Sequence, residues 1–217
     1  MNPWRVLTKR SEVTSSHILR WVGYVFFAIG ILAIGYAGYI VADAHIYQAL
    51  ETRKFELPIP ATEPRVFVPG DVIGEIDVPR LGLNAIVVQG DTDANLRRAV
   101  GHLSNTSLPG EPGNVALAGH RETFFRPLRD VRPGDVITIK TFDAEFEYEV
   151  ESTEVVLPSD IRVLQASSEN SLTLVTCFPF YYVGAAPKRF IVRARQIGRP
   201  SAMGEDSHID RVKGGNP

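Results

Sequence analysis

Cysteine is almost missing from this chain of 217 residues, which contains only one, Cys177. A single thiol excludes an internal disulfide, so the fold cannot depend on a disulfide framework. A lone cysteine is commonly a small buried apolar side chain, and composition alone favours that interpretation of Cys177. Only its position at the end of an apolar strand, described below, argues for thiol chemistry.

The chain also lacks a large excess of charge of either sign. It has 23 Lys and Arg against 25 Asp and Glu, and the net charge of −2 gives no support for nucleic-acid binding. The charge is unevenly distributed, because residues 1–20 carry four basic side chains and one acidic side chain, whereas residues 43–217 are net acidic.

Charged residues are absent from residues 21–42, a run of 22 residues. As a helix this run is about 33 Å long, against a hydrocarbon thickness of about 30 Å in a bilayer. Trp and Tyr residues lie towards its ends, as they do at membrane interfaces. We predict a single-pass transmembrane anchor at 21–42, with residues 1–20 cytoplasmic because the basic flank is N-terminal.

A cleavable signal peptide and a buried soluble helix are the alternatives for this segment. The sequence Ala42-Asp43-Ala44 resembles a cleavage site, but the apolar core of a signal peptide is about 7–15 residues long. A helix in a soluble core rarely has 22 residues without a charge. The anchor interpretation places the bulk of the chain on the extracytoplasmic side of the cell membrane.

Three segments follow the predicted anchor. Residues 43–71 begin with a helical stretch at 43–56 and continue into a spacer with four prolines, which is typical of an extended linker. Residues 72–198 have the apolar content of a folded domain. Residues 199–217 are polar, and we predict a disordered tail there.

The pattern within residues 72–198 predicts an all-β fold. Pro-Gly pairs punctuate short apolar stretches, and a polar start followed by apolar residues at helical spacing predicts one short helix at 93–100. Many short strands with turn signals and few helices favour a closed or nearly closed β-barrel. The seven predicted strands are residues 72–79, 84–89, 114–118, 135–141, 145–157, 171–176 and 189–195.

Two of these strands lead into a side chain that could take part in catalysis. Residues 171–177 (SLTLVTC) end in Cys177, and residues 114–120 (NVALAGH) end in His120. The pKa of a free cysteine is about 8.5, so a nucleophilic cysteine needs a base or a cation nearby. His120 could transfer the proton, and Arg189 could stabilise an oxyanion.

The other four histidines have simpler interpretations. His17, His45 and His208 lie in the cytoplasmic flank, the membrane-proximal segment and the tail, where solvation is expected. His102 closes the predicted short helix, near the negative end of its dipole.

A family resemblance rests on these segments. Residues 173–177 (TLVTC) match the T-L-x-T-C motif of sortases, the membrane-anchored cysteine transpeptidases of bacterial surfaces. Residues 116–121 (ALAGHR) resemble the histidine segment of that family, and residues 188–192 (KRFIV) resemble its arginine strand. Residues 158–164 (PSDIRVL) resemble the loop that cups the sorting signal. The resemblance covers residues 72–197 in the order and spacing of the family.

The resemblance implies a sortase-type eight-stranded β-barrel with one or two short helices, one strand more than the pattern predicts. It implies that Cys177 is the nucleophile, His120 the general acid/base, and Arg189 the oxyanion or substrate-backbone donor. Arg193, further along the same strand, is a rival for the role of Arg189. The implied substrate groove is formed by Ala118, Ile161, Val163, Leu164 and Thr176, and ordinary core packing is the alternative for its apolar members.

The implied reaction is cleavage of an LPxTG-like sorting signal through a thioacyl intermediate. Its partners would be surface proteins carrying that signal and an amine acceptor, either a peptidoglycan precursor or a pilin lysine. The segment after Cys177 resembles class D-like sortases more than the calcium-activated class A type. Ala166 stands where calcium-binding members have an acidic residue, so we expect neither a metal site nor a cofactor.

Two other readings stay open at this stage. One is a different extracytoplasmic Cys/His acyltransferase, such as an L,D-transpeptidase or a cysteine protease. The L,D-transpeptidases keep a Gly before the cysteine and a basic residue soon after it, whereas Thr176 and Phe178 flank Cys177. The other is a membrane-tethered β-barrel that binds partners and holds Cys177 buried and inert.

Overall fold

A computed structural model describes residues 11–55, 66–166, 169–182 and 184–202 of the chain. The chain divides into two compact units, one ending at His45 and one beginning at Ile46. Most of the predicted Pro-rich spacer, residues 56–65, and most of the predicted tail, residues 203–217, lie outside the described residues.

The N-terminal part of the chain is one long helix, α1, over Ser11–Phe55. Residues Leu19–Arg53 of this helix are long and apolar enough to cross a membrane, and the most apolar window has a mean hydropathy of 2.2. Its large apolar side chains are exposed; Leu32 and Ile34, for example, are 72% and 75% exposed. The helix includes the predicted anchor at 21–42 and the predicted helical stretch as far as Phe55, without a break between them; residue 56 lies outside the described residues.

Eight strands close into a barrel, in the spatial order β1-β2-β3-β4-β7-β8-β6-β5. Neighbouring strands are antiparallel except at two places, where β2 runs parallel to β3 and β4 runs parallel to β7. The strands are β1 (Val72–Val78), β2 (Leu83–Gln89), β3 (Val100–His102), β4 (Asn114–Ala118), β5 (Val136–Lys140), β6 (Ala144–Val156), β7 (Ser171–Phe178) and β8 (Lys188–Ala202).

Alternation along the strands places one face of each in the barrel core, because successive side chains of a strand point to opposite faces. On β4 the core residues are Val115 and Leu117, and on β7 they are Leu172 and Leu174. Phe125 and Leu128, from the segment after β4, complete this part of the core and are fully buried. The carboxyl ends of β4 and β7 are therefore held by a packed interior.

The predicted helix at 93–100 was too long, and its last residue belongs to the strand that the pattern missed. Helix α2 covers only Asp93–Leu96 and is capped by Thr92, whose hydroxyl accepts a hydrogen bond from the Asn95 amide at 3.3 Å. The chain then enters β3, which pairs with β2 and β4. A three-residue strand is too short to show a periodicity of two, so the sequence pattern did not separate it from the helix.

His102 lies on β3 and not at the end of a helix, contrary to the prediction. Its side chain is 1% exposed. Nδ1 lies 2.8 Å from Oε1 of Gln89, and Nε2 lies 2.9 Å from the carbonyl oxygen of Ser107. Burial lowers the pKa of this imidazole, so His102 is a hydrogen-bonded core residue.

Strand β8 is longer than predicted and extends to Ala202, past the predicted domain end at residue 198. It pairs with β7 up to Phe178↔Lys188 and with β6 out to Ala144↔Ala202. The polar composition after residue 198 did not reveal this extension, since an exposed strand end needs no apolar side chains.

An ion pair closes the β1 to β5 side of the barrel and supports our first prediction. Arg80 donates two hydrogen bonds to the carboxylate of Asp135, which is 6% exposed, and one at 2.7 Å to the carbonyl oxygen of Asp130. The hydrogen bonds from Arg80 hold the pKa of Asp135 below its usual range. Because the folded pKa is depressed, the carboxylate stabilises the fold above the unfolded pKa of about 3.9, and this contribution is lost as the pH falls through the folded pKa.

We expect Asp135→Asn to lower the free energy of unfolding by about 1–3 kcal/mol at neutral pH. Urea unfolding of the full chain in detergent measures this, and the difference from wild type should shrink between about pH 5 and about pH 2. The exposed Asp143 offers a matched control, Asp143→Asn, for which little change is expected. A difference that is the same at every pH would contradict the assignment to the charged form.

Candidate active site

The carboxyl ends of β4 and β7 meet at one rim of the barrel because the two strands are parallel neighbours. Ala118 pairs with Val175 at the last position of this ladder. Beyond it, the Gly119 amide donates to the carbonyl oxygen of Val175 at 3.2 Å. The hydroxyl of buried Thr176 donates to the carbonyl oxygen of Gly119 at 2.7 Å. The second of these bonds joins the residues that immediately precede His120 and Cys177.

Arg189 enters the same rim from the neighbouring strand. Strand β8 is antiparallel to β7, so β8 begins where β7 ends, and Cys177 is directly opposite Arg189. Residues paired in this way project from the same face of a sheet, with Cβ atoms about 4.5–5.5 Å apart. Cys177 is a free thiol and is half-buried, as is Arg189. The fold thus brings the strand ends carrying the thiol, the imidazole and the guanidinium to one rim.

His120 is held by a turn that begins at its own carbonyl group. The carbonyl oxygen of His120 accepts hydrogen bonds from the amides of Thr123 at 3.3 Å and Phe125 at 3.1 Å. The His120 side chain is half-buried. Gly119, just before it, lies so close to Phe125 that a Cβ atom there would be 2.8 Å from two ring atoms.

We expect Gly119→Ala to reduce turnover by at least about tenfold, because a displacement of about 1 Å in a catalytic group can cost about 100-fold. Phe125 is fully buried in the core, so the new methyl group must displace either its ring or the backbone before His120. Steady-state kinetics of the full chain measure the effect. The control is Gly23→Ala, where an added Cβ meets nothing within 4 Å, and it should leave turnover unchanged. Gly134→Ala is unsuitable as a control, because Gly134 has a positive φ that alanine rarely adopts.

Arg193 lies on the same face of β8 as Arg189 but is distant from the thiol. It is opposite Thr173 in the ladder, four residues from the Cys177 position, or about 13 Å along the strand. Its Nε donates to Oε1 of Glu154 at 3.3 Å. Arg189, by contrast, donates to the carbonyl groups of its sequence neighbours Ala186 and Lys188.

The predicted groove residues occupy different environments. Val163 is 5% exposed, and its carbonyl oxygen accepts hydrogen bonds from Asn114 at 3.3 Å and Thr173 at 3.4 Å. These bonds fasten the 3₁₀ turn Ile161–Leu164 to the outer face of β4 and β7. Ile161 is 69% exposed.

Ala118 and Leu164 are half-buried, so they and Ile161 offer apolar surface on the outer face of β4 and β7. Thr176 is 2% exposed, and its hydroxyl is committed to Gly119. Val163 and Thr176 can therefore support a groove from beneath, while the other three predicted residues can line it.

Three residues that the sequence interpretation left without a role hold the segments around the site. Asn114 and Thr173 hold the 3₁₀ turn, as described above. Arg121, directly after His120, is 4% exposed and donates to three carbonyl groups of the β7–β8 connection. The only indication of Arg121 in the sequence was its place directly after His120 in the segment 116–121 (ALAGHR).

Acidic residues near α2 have local partners. The carboxylate of Glu111 accepts a hydrogen bond from the Leu108 amide at 2.9 Å, and Asp93 lies in the first turn of α2. Within the described residues, no three His, Cys, Asp or Glu side chains form a group that could hold a metal ion.

The closed barrel places a thiol at the end of β7, an imidazole just after its parallel neighbour β4 and a guanidinium at the start of its antiparallel neighbour β8, which are the groups that cysteine-dependent acyl transfer uses. A family model for the sortase domain matches residues 76–197, which is more than half of the chain. The chain belongs to the sortase family, whose members are cysteine transpeptidases.

Individual relatives agree with this assignment. The chain is 30% identical to sortase D of Bacillus subtilis over 187 residues, covering 78% of this chain and 94% of that protein. It is similar in structure to a sortase D5 transpeptidase of Clostridium perfringens, with a TM-score of 0.62 and 31% identity over 72% of this chain and 99% of that one. Sortase A from Corynebacterium diphtheriae aligns with a TM-score of 0.56 and 32% identity over 60% of this chain and 62% of that one.

These findings confirm three predictions made from the sequence. The resemblance to sortases, including class D members, is confirmed, and so is the eight-stranded barrel that follows an N-terminal apolar helix. The prediction that the chain is a cysteine transpeptidase is confirmed as well.

Proposed function

We propose that this transpeptidase cleaves an LPxTG-like sorting signal through a thioacyl intermediate and transfers the protein to an amine of the cell wall or of a pilin. The proposal is carried by the junction of β4, β7 and β8. There, the Thr176–Gly119 hydrogen bond and the Cys177↔Arg189 pairing converge on one rim. That arrangement supports one nucleophile, one proton carrier and one oxyanion donor.

In the first transfer, the thiolate of Cys177 attacks the carbonyl carbon of the signal's Thr residue. A carbon–sulfur bond forms, and the carbonyl oxygen becomes an oxyanion that the Arg189 guanidinium stabilises with a fixed positive charge. The carbon–nitrogen bond then breaks. His120 donates a proton to the leaving amine, and the thioacyl enzyme remains.

In the second transfer, the acceptor amine attacks the thioester carbon. His120, now neutral, takes the proton from the attacking nitrogen, and the Cys177 sulfur leaves as a thiolate. A new amide bond joins the surface protein to the acceptor. The two steps use the same groups in reverse order, so the thiol and the imidazole return to their starting protonation states.

The apolar residues of the signal would lie on the outer face of β4 and β7. Ile161, Leu164 and Ala118 offer apolar surface there, and Val163 and Thr176 hold the backbone below them. Burying the Leu and Pro side chains of the signal against such a surface contributes about 25 cal/mol for each Å² removed from water.

Helix α1 supports a proposal for the cellular location. We propose that residues 21–42 anchor the chain in the cell membrane, that residues 1–20 are cytoplasmic, and that the domain at 72–198 acts outside. Four basic residues against one acidic residue in the first twenty support this orientation. The sorting signals and amines of surface proteins and cell wall are accessible on that side.

The test uses the full chain in detergent with a quenched library of LPxTG-like peptides, with and without an added amine. Mass spectrometry should find an acyl adduct on Cys177, and the amine should release it as an amide product. The preferred peptide then identifies the signal. A folded enzyme whose Cys177 reacts with a small alkylating reagent, but forms no adduct with any of these peptides, would reject the proposed substrate class.

A further inference from the structure

Three apolar residues on the outside of the barrel are as buried as its core. Ile86 and Val88 of β2, and Ala99 just before β3, are at most 1% exposed. Their neighbours Val87 and Val100 belong to the interior cluster, and successive side chains of a strand point to opposite faces. The three side chains therefore point outwards, and other parts of the chain must cover them.

The C-terminal end of α1 lies over this outer cluster. Residues 46–55 belong to the same compact unit as the barrel. The Tyr47 side chain packs against the cluster, as does that of Val72. The half-buried residues of this helix segment recur at helical spacing and form one stripe, whereas the residues between them are exposed. The stripe consists of Tyr47, Gln48, Glu51 and Thr52.

Gln48 connects this helix segment to two points of the barrel by hydrogen bonds. Its Oε1 accepts a hydrogen bond from the Ile86 amide at 2.8 Å, and its Nε2 donates one to the carbonyl oxygen of Arg98 at 2.6 Å. The parallel ladder between β2 and β3 begins just after these residues, at Val87↔Val100. A side-chain amide offers a donor and an acceptor in one plane, as a peptide group does. Gln48 thus bridges the two strands where their own ladder has not yet begun.

The Arg98 contact lies next to the strand end that carries His120. Strand β3 is antiparallel to β4, with Gly101 opposite Ala118. The same register, continued by two residues, brings Ala99 opposite His120, because each step along one strand is matched by a step back along the other. The segment 98–100 is therefore beside the end of β4, on the side away from β7.

The end of β4 is held from both sides. On the β7 side, Gly119 is hydrogen-bonded to Val175 and Thr176. On the β3 side, the Gln48 bridge fixes the segment 98–100. An imidazole that transfers a proton in both steps of the reaction needs a fixed position relative to the thiol, so both supports bear on catalysis.

We propose that Gln48 is a positioning residue for catalysis: by fixing the segment 98–100, it holds the end of β4 and the imidazole of His120 in place for proton transfer. Gln48 touches neither the thiol nor the substrate and acts only through the main chain. The inference rests on the proposed function, because its readout is turnover of a signal peptide. It makes the end of α1 an element on which catalysis depends, in addition to its connection to the predicted anchor.

The test compares Gln48→Met and Gln48→Glu with wild type, using the full chain in detergent at a temperature well below the melting temperature of each variant. Gln48→Met keeps the side-chain length and removes both hydrogen bonds, whereas Gln48→Glu can still accept from Ile86 but cannot donate to Arg98. We expect both variants to lower kcat for a signal peptide by about tenfold, because a displacement of about 1 Å can cost about 100-fold. KM should change little, since the predicted groove lies on the outer face of β4 and β7.

Hydrogen exchange provides a readout that needs no substrate. The Ile86 amide should exchange about tenfold faster in Gln48→Met, which removes its acceptor, and at the wild-type rate in Gln48→Glu. The two variants therefore separate the Arg98 contact, which both lose, from the Ile86 contact, which only Gln48→Met loses.

The matched control is Ala49→Met, which places the same new side chain at the next position of the same helix, where the native residue is exposed. It should leave kcat and the exchange of the Ile86 amide within about twofold of wild type.

Four results would overturn the inference. Unchanged exchange of the Ile86 amide in Gln48→Met would exclude the contact itself. Faster exchange with unchanged kcat, or a fall in kcat that Ala49→Met shares, would exclude a positioning role. A loss of kcat in Gln48→Met that Gln48→Glu does not show would exclude the segment 98–100 as the route. A wild type that forms no acyl adduct would reject the proposed function as well, whereas the other outcomes leave the proposed function intact.

Discussion

Replacement of Cys177 by alanine should reduce cleavage of the signal peptide at least about 1000-fold and abolish the acyl adduct, because no other group in the rim can form a thioester. The chain contains no second cysteine that could substitute. His120 and Arg189 remain in Cys177→Ala, but they have no nucleophile to activate or oxyanion to stabilise. Peptide turnover and intact-protein mass spectrometry measure the two effects.

The matched control for Cys177→Ala is the stability of the same variant. Cys177 is half-buried, and its thiol is not one of the described groups whose hydrogen bonds hold the strand ends together. The melting temperature of Cys177→Ala should therefore change little. Turnover retained in Cys177→Ala would contradict the assignment of the nucleophile. A large fall in melting temperature would instead point to a structural role for the thiol.

Replacement of Arg189 by glutamine should reduce turnover by about 100- to 1000-fold, the loss that follows removal of one oxyanion donor. Arg189 is the register partner of Cys177, so the two side chains project from the same face of neighbouring strands. The loss should appear mainly in kcat, because the donor acts more strongly on the oxyanion than on the ground-state carbonyl. Steady-state kinetics with a signal peptide separate kcat from KM.

Arg193→Gln is the matched control for Arg189→Gln, since both changes remove one arginine from the same face of β8. Arg193 pairs with Glu154 at a position opposite Thr173, so we expect less than about a threefold change in turnover. Similar losses in the two variants would favour a general effect of positive charge. A larger loss in Arg193→Gln would reverse the assignment of the two arginines.

Sequence patterns predicted the helices and strands that can be recognised from the composition and alternation of their own residues. The uncharged run at 21–42 predicted the apolar helix, because the length of such a run can be compared directly with the hydrocarbon thickness of a bilayer. Alternating or apolar stretches likewise predicted seven of the eight strands. The missing strand, Val100–His102, has three residues, and only its pairing with β2 and β4 defines it as a strand.

The side chains around the site were predicted with unequal success for the same reason. A motif indicated Cys177, His120 and Arg189, and their roles stay predictions for the experiments above. The motifs did not reveal that Val163 is the buried residue of the 3₁₀ turn, or that Arg121 contacts a connection about sixty residues away in sequence. Such contacts depend on which strands become neighbours.

The sequence by itself determined the apolar N-terminal helix and the all-β character of the domain, and it indicated the three candidate side chains of the site. Each of these signals lies in a short run of consecutive residues. The tertiary structure decided that β4 and β7 are parallel neighbours, that Cys177 faces Arg189, and that Arg121 joins the His120 segment to the β7–β8 connection. The physical reason is that strand order and register arise from burial of a shared core. No single segment contains the information that sets them.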